Sequence, residues 1–320
     1  MKVLVTGAGG MVGSHMVEVL YSRGEDVVGS YYKPTTDLSE ISSAITMIEC
    51  DVRYFQSVFK LISEYMPDQI FHLAAQSYPT VSWEQPQATI DTNIGGTINL
   101  FEAIKSVRIT YPKYDPIVIV ACSSAEYGQT LNELKNPYVK ETAELKPLHP
   151  YGVSKVGQDL LSFQYYMNDH IRCIRVRIFN STGTRKKNDV TSDFTKRAII
   201  AEKSGIWKLN VGNLESRRAI MDQRDLINGL LLLAEKGRPG EVYNLSSEYC
   251  YQMIEIVSII EKLIGHKFEI VTDSRLLRPT DEKIIIGNID KLKADTGWKQ
   301  NISIEQTIAD MLDYWRKKNI

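Results

Sequence analysis

The sequence predicts an α/β fold built on a doubly wound parallel sheet, with a smaller C-terminal α/β domain. In the first half of the chain, short apolar runs alternate with amphipathic stretches. A repeated order of strand, helix and strand requires parallel strands joined by crossover helices. A glycine-rich turn also separates the first apolar run from the first amphipathic stretch. We therefore expect one sheet with helices on both of its faces.

Each predicted strand is a short apolar run. We predict strands over residues 2–5, 26–32, 46–49, 69–73, 117–121 and 171–177. Helices are predicted where apolar side chains recur at helical spacing, over residues 11–23, 57–65, 93–107 and 151–168. Gly24 stands where the first helix should end, in a position that favours glycine.

The pattern changes after residue 180. Residues 181–189 predict a polar loop, residues 192–204 and 225–235 predict helices, residues 241–245 predict a strand, and two more helices follow within 251–320. No repeat or linker separates the halves, so C-terminal insertions should pack tightly on the first domain. We assign residues 1–178, with a return over about 219–247, to the first domain, and residues 179–218 and 248–320 to the second.

The charge balance argues against a polyanionic partner. The chain carries 38 Lys and Arg against 39 Asp and Glu, a net charge of −1, with both signs interleaved. We expect neither nucleic acid nor an anionic membrane surface as a partner. No apolar run approaches the roughly 20 residues of a membrane helix. Glycines also interrupt the N-terminus before a signal-peptide core could form.

Cysteine placement predicts a reducing compartment. Cys50, Cys122, Cys173 and Cys250 are scattered and lack the short spacings of metal sites. We therefore expect buried thiols, no metal site, no disulfide framework and a cytoplasmic protein.

The first predicted turn has the features of a dinucleotide site. Gly7, Gly10 and Gly13 form a GxxGxxG motif between the first strand and the first helix. Glycine is needed there because the turn is tight and a pyrophosphate must approach the backbone closely. The helix N-terminus supplies amide donors and a partial positive charge. A glycine triplet alone could be a simple loop, but its place at the start of the β–α–β pattern predicts a Rossmann-type site.

The glycine spacing resembles that of short-chain dehydrogenases, in which an acid at the end of the second strand commonly holds the ribose of NAD. Residues 28–33 read Val-Gly-Ser-Tyr-Tyr-Lys, so this acid is missing. A carboxylate would repel a 2′-phosphate, whereas Lys33 can pair with one. NADP(H) is therefore favoured. NAD(H) stays open, because Lys33 could equally be a solvated loop lysine.

The same resemblance implies further cofactor contacts. Asp51 and Val52 resemble the adenine-binding pair, and small side chains after the fourth strand let the cofactor pass. The implied contacts beyond the glycines are Met11, Val12, Asp51, Val52, Leu73, Ala74 and Ala75.

A serine, a tyrosine and a lysine have the spacing of an acid–base site. Tyr151 and Lys155 are four residues apart in a predicted helix and share one face. A tyrosine with a pKa of about 10 is a poor acid–base catalyst at neutral pH, and a nearby ammonium is expected to lower this pKa. Ser123 follows the fifth strand, at the edge where ligands bind in such sheets. We predict these three residues as catalytic, with Tyr151 and Lys155 also contacting the cofactor.

With these motifs, the chain resembles the extended short-chain dehydrogenase/reductases, the NAD-dependent epimerase/dehydratase family, over essentially its full length. It is most similar to GDP-mannose 4,6-dehydratases and GDP-4-keto-6-deoxymannose reductases, through residues 73–86, 211–215, 277–282 and 297–299. The resemblance implies that Asn180, Arg218 and Arg278 face the nucleotide diphosphate, and it assigns Ser77 and Glu126 to the substrate site. Arginine forks match phosphate oxygens, although a surface ion pair would explain either arginine.

Two positions depart from that family pattern. Ala219 stands where an aspartate usually follows the arginine, which leaves the local loop geometry open. Ala125 stands where 4,6-dehydratases carry the glutamate that removes the C5 proton, and where C3/C5 epimerases carry a cysteine. Alanine cannot take a proton. Glu126, one place further on, is either a substitute base or a structural carboxylate.

The missing base favours chemistry at C4 alone. We expect NADPH-dependent reduction of a GDP-4-keto-6-deoxyhexose to a GDP-6-deoxyhexose. The alternatives are a GDP-mannose 4,6-dehydratase or a nucleotide-sugar C4 epimerase, both of which recycle their cofactor, and a non-catalytic protein that senses through the pocket. The resemblance also implies a homodimer formed by helices 93–107 and 151–168. Apolar side chains on these helices serve such an interface or face the sheet: Phe101, Leu160, Phe163, Tyr165 and Tyr166.

Overall fold

The computed structural model describes residues 1–276 and 282–318. Its strands are β1 (Lys2–Thr6), β2 (Asp26–Tyr31), β3 (Thr46–Glu49), β4 (Gln69–His72), β5 (Ile117–Ser123), β6 (Tyr138–Val139), β7 (Cys173–Ile178), β8 (Ser181–Thr182), β9 (Lys208–Val211), β10 (Arg217–Arg218), β11 (Met221–Asp222), β12 (Val242–Leu245), β13 (Tyr251–Gln252), β14 (Glu269–Thr272) and β15 (Ile284–Gly287). Its helices are α1 (Met11–Ser22), α2 (Phe55–Tyr65), α3 (Pro79–Glu84), α4 (Pro86–Ile90), α5 (Gly96–Thr110), α6 (Thr130–Glu133), α7 (Pro150–Asp169), α8 (Val190–Ser204), α9 (Gln223–Lys236), α10 (Met253–Ile264), α11 (Asp290–Thr296) and α12 (Ile304–Lys317).

Seven of these strands form one parallel sheet in the order β3–β2–β1–β4–β5–β7–β12. β1 pairs with β2 on one side and with β4 on the other. The strand order therefore reverses between β1 and β4. In open α/β sheets, ligands bind in the crevice at the carboxyl ends of the strands at this point. The sheet confirms the predicted Rossmann-type doubly wound fold.

The first strand is apolar at successive positions because both of its faces are covered. Val3 and Val5 pack into a cluster with α1 and α9, and Leu4 packs into a second cluster with α2 and α5. Successive strand residues point to opposite faces, so a sheet with helices on both sides needs continuous apolar runs. This requirement explains why the strand predictions in the first half agree closely with the observed bounds.

The C-terminal part has an apolar cluster of its own, formed mainly by α8, α10 and α12 with β9. A four-stranded sheet, β13–β10–β15–β6, and the pair β9–β14 accompany it. Trp298 belongs instead to the cluster that contains α1 and α9, and its Nε1 donates to the Asp225 carbonyl at 3.1 Å. The C-terminal segment is thereby tied to the central sheet. The domain division stated above stays a prediction.

All four cysteines are free thiols, and Cys50, Cys122 and Cys173 are buried. Burial raises the pKa of Cys50 to about 11, so this thiol is a core group that stays protonated at neutral pH. Within residues 1–276 and 282–318, no helix has both the length and the apolar character that crossing a membrane requires.

Candidate active site

The glycine turn forms a cradle that only glycine permits. Gly7 has φ +72°, and a Cβ at this position would lie 2.7 Å from the backbone nitrogen of Ala74. A Cβ at Gly13 would overlap the carbonyl oxygen of Gly7. The turn packs closely on the backbone of Ala74 and on the start of α1. This packing excludes side chains at Gly7 and Gly13 and lets a ligand approach the backbone of the turn.

The helix that follows this turn presents its N-terminus to the same place. α1 begins at Met11, Gly10 caps it without a side chain, and its first turn contains no acid. The Gly10 N–H donates to the Gly7 carbonyl at 3.0 Å, which fixes the turn. Uncapped amides and the positive end of the helix dipole suit an anion. The residues present therefore fit the pyrophosphate of a dinucleotide, with Met11 and Val12 in the first helical turn.

Two cations converge at the end of β2. The Lys33 ammonium lies 5.3 Å from the centre of the Tyr32 ring, and the Arg53 guanidinium lies 5.5 Å from the same centre. Arg53 also donates from Nε to Asp51 at 3.0 Å. Within the described residues the buried hydroxyl of Ser30 has no hydrogen-bond partner. The Asp51 carboxylate offsets one of the two cations, so these groups give the end of the predicted cofactor cleft one net positive charge and a buried hydroxyl.

Arg53 was not among the residues predicted from the sequence. It follows Asp51 and Val52 directly, and the register of β2 with β3 pairs Tyr31 with Glu49, so both strands end side by side. The sequence contains a signal for this residue. In a β–α–β–β order with parallel strands, a basic residue shortly after the third strand lies beside the end of the second strand. Val52 is buried, and its carbonyl accepts from the Asn99 side chain at 2.9 Å.

The segment after β4 borders the glycine turn. The Ala74 N–H donates to the Thr6 hydroxyl at 3.2 Å, which links the carboxyl ends of β4 and β1. Leu73, Ala74 and Ala75 are partly exposed there. Their contact with the cofactor stays a prediction.

The structure brings Ser123, Tyr151 and Lys155 together. Ser123 is the last residue of β5, and its hydroxyl is close enough to Tyr151, in the first turn of α7, to act on the pKa of that phenol. The α7 N-terminus is fixed by Pro150 and by His149, whose Nδ1 accepts from the Gly152 N–H at 3.0 Å. One turn further, the Lys155 ammonium lies 5.9 Å from the centre of the Tyr151 ring. This is the arrangement that acid–base chemistry on a bound oxygen requires.

The pKa of Tyr151 differs from the sequence-based expectation. Burial raises it to about 12, and the hydrogen bond from Ser123 only partly offsets this. Burial also lowers the pKa of Lys155 to about 8, against the opposing effects of Cys122 and Glu126. Desolvation is the largest influence on the pKa of both groups. At neutral pH the protein's own groups hold Tyr151 as a neutral phenol, which is a proton donor.

Glu126 points into the protein interior. Glu126 is fully buried. One of its carboxyl oxygens accepts from the Ser123 N–H at 2.8 Å, and the other accepts from Arg177 Nε at 3.1 Å. Residues 124–126 form a short helical turn capped by Ser123, whose hydroxyl accepts from the Ala125 N–H at 3.2 Å. In this placement the carboxyl group of Glu126 is directed away from the cleft side of Ser123 and contacts Arg177, so its predicted contact with substrate stays a prediction.

Behind Glu126 lies a buried network of two acids and two arginines. Arg177 Nε also donates to Asp159 at 3.0 Å, and Arg175 donates to Asp159 at 2.7 Å. Ligand atoms of Cys122, Glu126 and Asp159 lie within 4.8 Å of one another. The guanidinium of Arg177 contacts both acids. Burial and the nearby Asp159 nevertheless raise the pKa of Glu126 well above its usual range, which favours its protonated form.

The predicted substrate residues lie in different surroundings. Ser77 and Asn180 are exposed and follow β4 and β7, so they share the carboxyl edge of the sheet with Ser123. Arg218, in β10, is mostly buried, and its Nη1 donates to the carbonyls of Arg217 at 3.0 Å and Glu282 at 2.8 Å. Arg278 lies outside the described residues.

The two aspartates beyond Ala219 have structural roles. Asp222 caps α9 by accepting from the Arg224 N–H at 2.7 Å. Asp225 accepts from the backbone N–H groups of Asn301 and Ile302 at 3.1 and 2.9 Å. Neither carboxylate takes the place of an acid next to Arg218.

The fold and this site define a short-chain dehydrogenase/reductase of the extended type. A model of the GDP-mannose 4,6 dehydratase family matches residues 4–311, and the chain belongs to this family. The resemblance stated from the sequence is thereby confirmed, as is the prediction of an enzyme of nucleotide-sugar oxidoreductase type.

Similar proteins include several nucleotide-sugar enzymes. GDP-6-deoxy-D-mannose reductase of Pseudomonas aeruginosa is 27% identical over 99% of this chain and 98% of its own length. GDP-mannose 4,6 dehydratase 1 of Arabidopsis thaliana is 27% identical over 97% of this chain and 88% of its own. The solved structure of RMD from Pseudomonas aeruginosa complexed with NADPH matches with a TM-score of 0.83, 25% identity and 99% coverage of each chain. UDP-glucose 4-epimerase of Thermotoga maritima, at 24% identity and full coverage of both chains, matches in fold with a TM-score of 0.90.

Proposed function

We propose that this protein reduces the C4 ketone of a GDP-4-keto-6-deoxyhexose with NADPH and forms a GDP-6-deoxyhexose. The observation that carries the proposal is Ala125. In 4,6-dehydratases this position holds the glutamate that removes the C5 proton, and alanine has no basic group. Chemistry that needs no C5 base is hydride transfer at C4.

The carboxylate nearest to that position supports the same conclusion. Glu126 is fully buried, and its oxygens are occupied by Ser123 and Arg177. A base must reach the proton that it removes, within about 3 Å or through one water. Glu126 would have to leave two hydrogen bonds before it could reach a sugar.

The side chains of Ser123 and Tyr151 supply what a ketone reduction needs from the protein. NADPH, when bound, supplies the hydride. The hydroxyls of Ser123 and Tyr151 are close to each other, and each has one hydrogen that it can donate to the same substrate oxygen. Burial raises the pKa of Tyr151 to about 12. The neutral phenol therefore has a proton to give to the developing alkoxide at C4.

The preference for NADP(H) is supported by charge at the end of β2. Lys33 and Arg53 both approach Tyr32 there, and no acid occupies residues 28–33. Cations with several N–H donors match a 2′-phosphate, whereas a carboxylate would repel it. The similar Pseudomonas structure is described as a complex with NADPH.

For the substrate we propose a GDP-hexose whose sugar reaches Ser123 while its diphosphate lies toward the C-terminal domain. Ser77 and Asn180 are exposed at the carboxyl edge of the sheet, where they can contact the sugar or its phosphates. Arg218 lies in β10 of the neighbouring four-stranded sheet, and its positive charge suits the diphosphate.

A homodimer in the cytoplasm is part of this proposal. Leu160, Phe163 and Met167 of α7 are exposed, at 54%, 42% and 54% of their surface. Phe101 and Tyr165 lie instead in the core, with their rings stacked at 4.7 Å. Fewer apolar side chains are therefore available for an interface than the sequence suggested. Four free cysteines suit a reducing compartment.

A 4,6-dehydratase or a C4 epimerase is the competing assignment, favoured by relatives such as the Arabidopsis dehydratase. Both alternatives recycle their cofactor, and a C4 epimerase needs no C5 base. Net consumption of NADPH therefore separates the reductase from both.

The test follows nicotinamide absorbance with purified protein, NADPH and GDP-4-keto-6-deoxymannose, with NADH in parallel. We expect stoichiometric loss of NADPH, slower loss of NADH, and a rate lowered ~10²–10⁴-fold by Tyr151→Phe. Absence of NADPH loss from folded wild-type protein would sink the reductase assignment. Conversion of GDP-mannose without added cofactor would establish a dehydratase.

A further inference from the structure

Behind the catalytic lysine lies a buried chain of polar side chains with no part in the proposed proton transfer. The Lys155 ammonium donates to Gln158 Oε1 at 2.7 Å and to the Ala121 carbonyl at 2.7 Å. Gln158 Nε2 donates to Thr97 Oγ1 at 2.9 Å, and His72 Nε2 lies 3.2 Å from the same oxygen. Gln158, Thr97 and His72 are fully buried. Their hydrogen bonds therefore have no solvent to compete with.

The direction of each hydrogen bond in this chain is determined. A threonine hydroxyl has one hydrogen, and that of Thr97 is donated to the Asn93 carbonyl at 2.7 Å. Thr97 must therefore accept from both Gln158 and His72, which places the His72 hydrogen on Nε2. His72 Nδ1 then accepts from the Thr6 hydroxyl at 2.9 Å. Burial lowers the pKa of His72 to about 3, in agreement with a neutral ring.

This fixed direction holds the Gln158 amide in one orientation. A flipped amide would turn its NH₂ group toward the Lys155 ammonium and its oxygen toward a Thr97 hydroxyl whose hydrogen is already used. Both contacts would be repulsive, and in a buried site unpaired polar groups are costly. The carbonyl oxygen of Gln158 is therefore held against the ammonium. The two residues are three apart on α7, so they share one helix face.

An oxygen held in this position opposes the effect of burial on Lys155. Burial favours the neutral amine and lowers the pKa of Lys155 to about 8, whereas a hydrogen bond to the charged form favours the ammonium. The other titratable groups that face this lysine come from β4, from β5 and the turn after it, and from α7 itself: His72, Cys122, Glu126 and Tyr151. His72 is neutral, so Gln158 and Ala121 are the hydrogen-bond acceptors that hold the charge.

We propose that Gln158, locked by Thr97, is a positioning residue that keeps Lys155 charged and leaves its third N–H for the cleft. Lysine has three N–H donors, and Gln158 and Ala121 take two of them. The effect on turnover rests on the proposed function, because it assumes that charged Lys155 assists the reaction. The effect of Gln158 on the charge of Lys155 is independent of the proposed function.

The first variant is Gln158→Met, which keeps the length of the side chain and removes the acceptor. We expect the pKa of Lys155, followed by NMR of ¹³C-labelled lysine side chains, to fall by about one unit. The alkaline limb of the pH profile of NADPH oxidation should move by the same amount. Ser162→Ala is the matched control, because the Ser162 hydroxyl is buried one turn further along α7 and donates only to the Gln158 backbone carbonyl, at 2.7 Å. It should leave the pKa of Lys155 in place.

The second variant, Gln158→Glu, keeps the proposal testable if the methionine variant does not fold. It places a carboxylate beside the ammonium and should raise the pKa of Lys155 above that of the wild type. A Lys155 pKa that stays unchanged in either folded variant overturns the proposal. If the wild type fails to oxidise NADPH with the keto sugar, the proposed function falls, and the NMR titration alone decides the role of Gln158.

Discussion

The side chain of Glu126 accepts a hydrogen bond from the backbone N–H of Ser123 at 2.8 Å. Glu126 therefore holds the predicted catalytic serine in place through the serine's backbone. The other carboxylate oxygen receives Arg177 Nε at 3.1 Å. These two hydrogen bonds of Glu126 thus hold the turn that carries Ser123 and Ala125. Substitution of a residue with this function should change the stability of the protein more than its turnover.

We expect Glu126→Gln to lower stability strongly and turnover weakly. The amide still accepts from Ser123, but Arg177 loses one of its two carboxylate partners. An amide NH₂ cannot accept from Arg177, and a buried donor left without an acceptor lowers the free energy of unfolding by about 1–3 kcal/mol, which urea unfolding measures. The kcat of the folded fraction should fall far less than the ~10²–10⁴-fold that loss of a general base produces.

Glu133→Gln is the control for this experiment. Its carboxylate pairs with Lys146 at 2.8 Å on the surface, and exposed pairs contribute little to stability. Unfolding should be unchanged. A Glu126→Gln protein of normal stability without activity would instead identify Glu126 as the base.

Local sequence signals were enough to predict most of the candidate site because its parts are contiguous. The glycine turn lies within residues 7–13, and Tyr151 and Lys155 lie one helical turn apart. Both motifs fall where an apolar pattern marks a strand or a helix. The fold, the glycine turn and the predicted catalytic positions follow from such patterns.

Contacts between distant residues could not be predicted in this way. Arg177 meets Glu126 across 51 positions, and Gln158 meets Thr97 across 61. Strands such as β10 and β11 have two residues each, too few for any periodic pattern. The raised pKa of Tyr151 depends on burial, which a pair of residues four apart does not reveal.

We expect Arg53→Ala and Lys33→Gln to weaken NADPH binding selectively. A charge-assisted hydrogen bond to phosphate contributes enough for about a tenfold change in Kd per residue. NADH has no 2′-phosphate, so its Kd should stay the same. Fluorescence titration of both cofactors measures the ratio. Lys60→Ala, an exposed lysine on α2, is the control, and equal weakening of both cofactors would contradict a 2′-phosphate site.

We expect Gly13→Ala to abolish cofactor binding. Its Cβ would overlap the Gly7 carbonyl oxygen, so the turn and the start of α1 must separate. Overpacking of this kind lowers stability by about 1–3 kcal/mol. Gly95→Ala is the matched control, since a Cβ there meets nothing within 4 Å and alanine favours a helix. Thermal unfolding and NADPH titration of both variants test this, and normal NADPH affinity in Gly13→Ala would contradict the proposed cradle.

Lys155 should make the stability of the protein depend on pH in a predictable direction. Burial lowers its pKa from 10.5 to about 8. Between these values the unfolded chain binds more protons than the native state, so this group's contribution to the free energy of unfolding rises with pH. Below pH 8 both states are protonated and the full penalty of burying the charge applies.

Lys155→Met removes this penalty and its pH dependence together. Below pH 8 we expect the free energy of unfolding of the variant to exceed that of the wild type by the largest amount. This difference should shrink by about 3 kcal/mol as the pH rises toward 10.5. Urea unfolding of both proteins at several pH values between 7 and 10.5 measures the difference. Lys60→Met, at an exposed position, should show a constant difference from the wild type. A constant difference for Lys155→Met as well would mean that Lys155 titrates in the folded protein as it does in the unfolded chain.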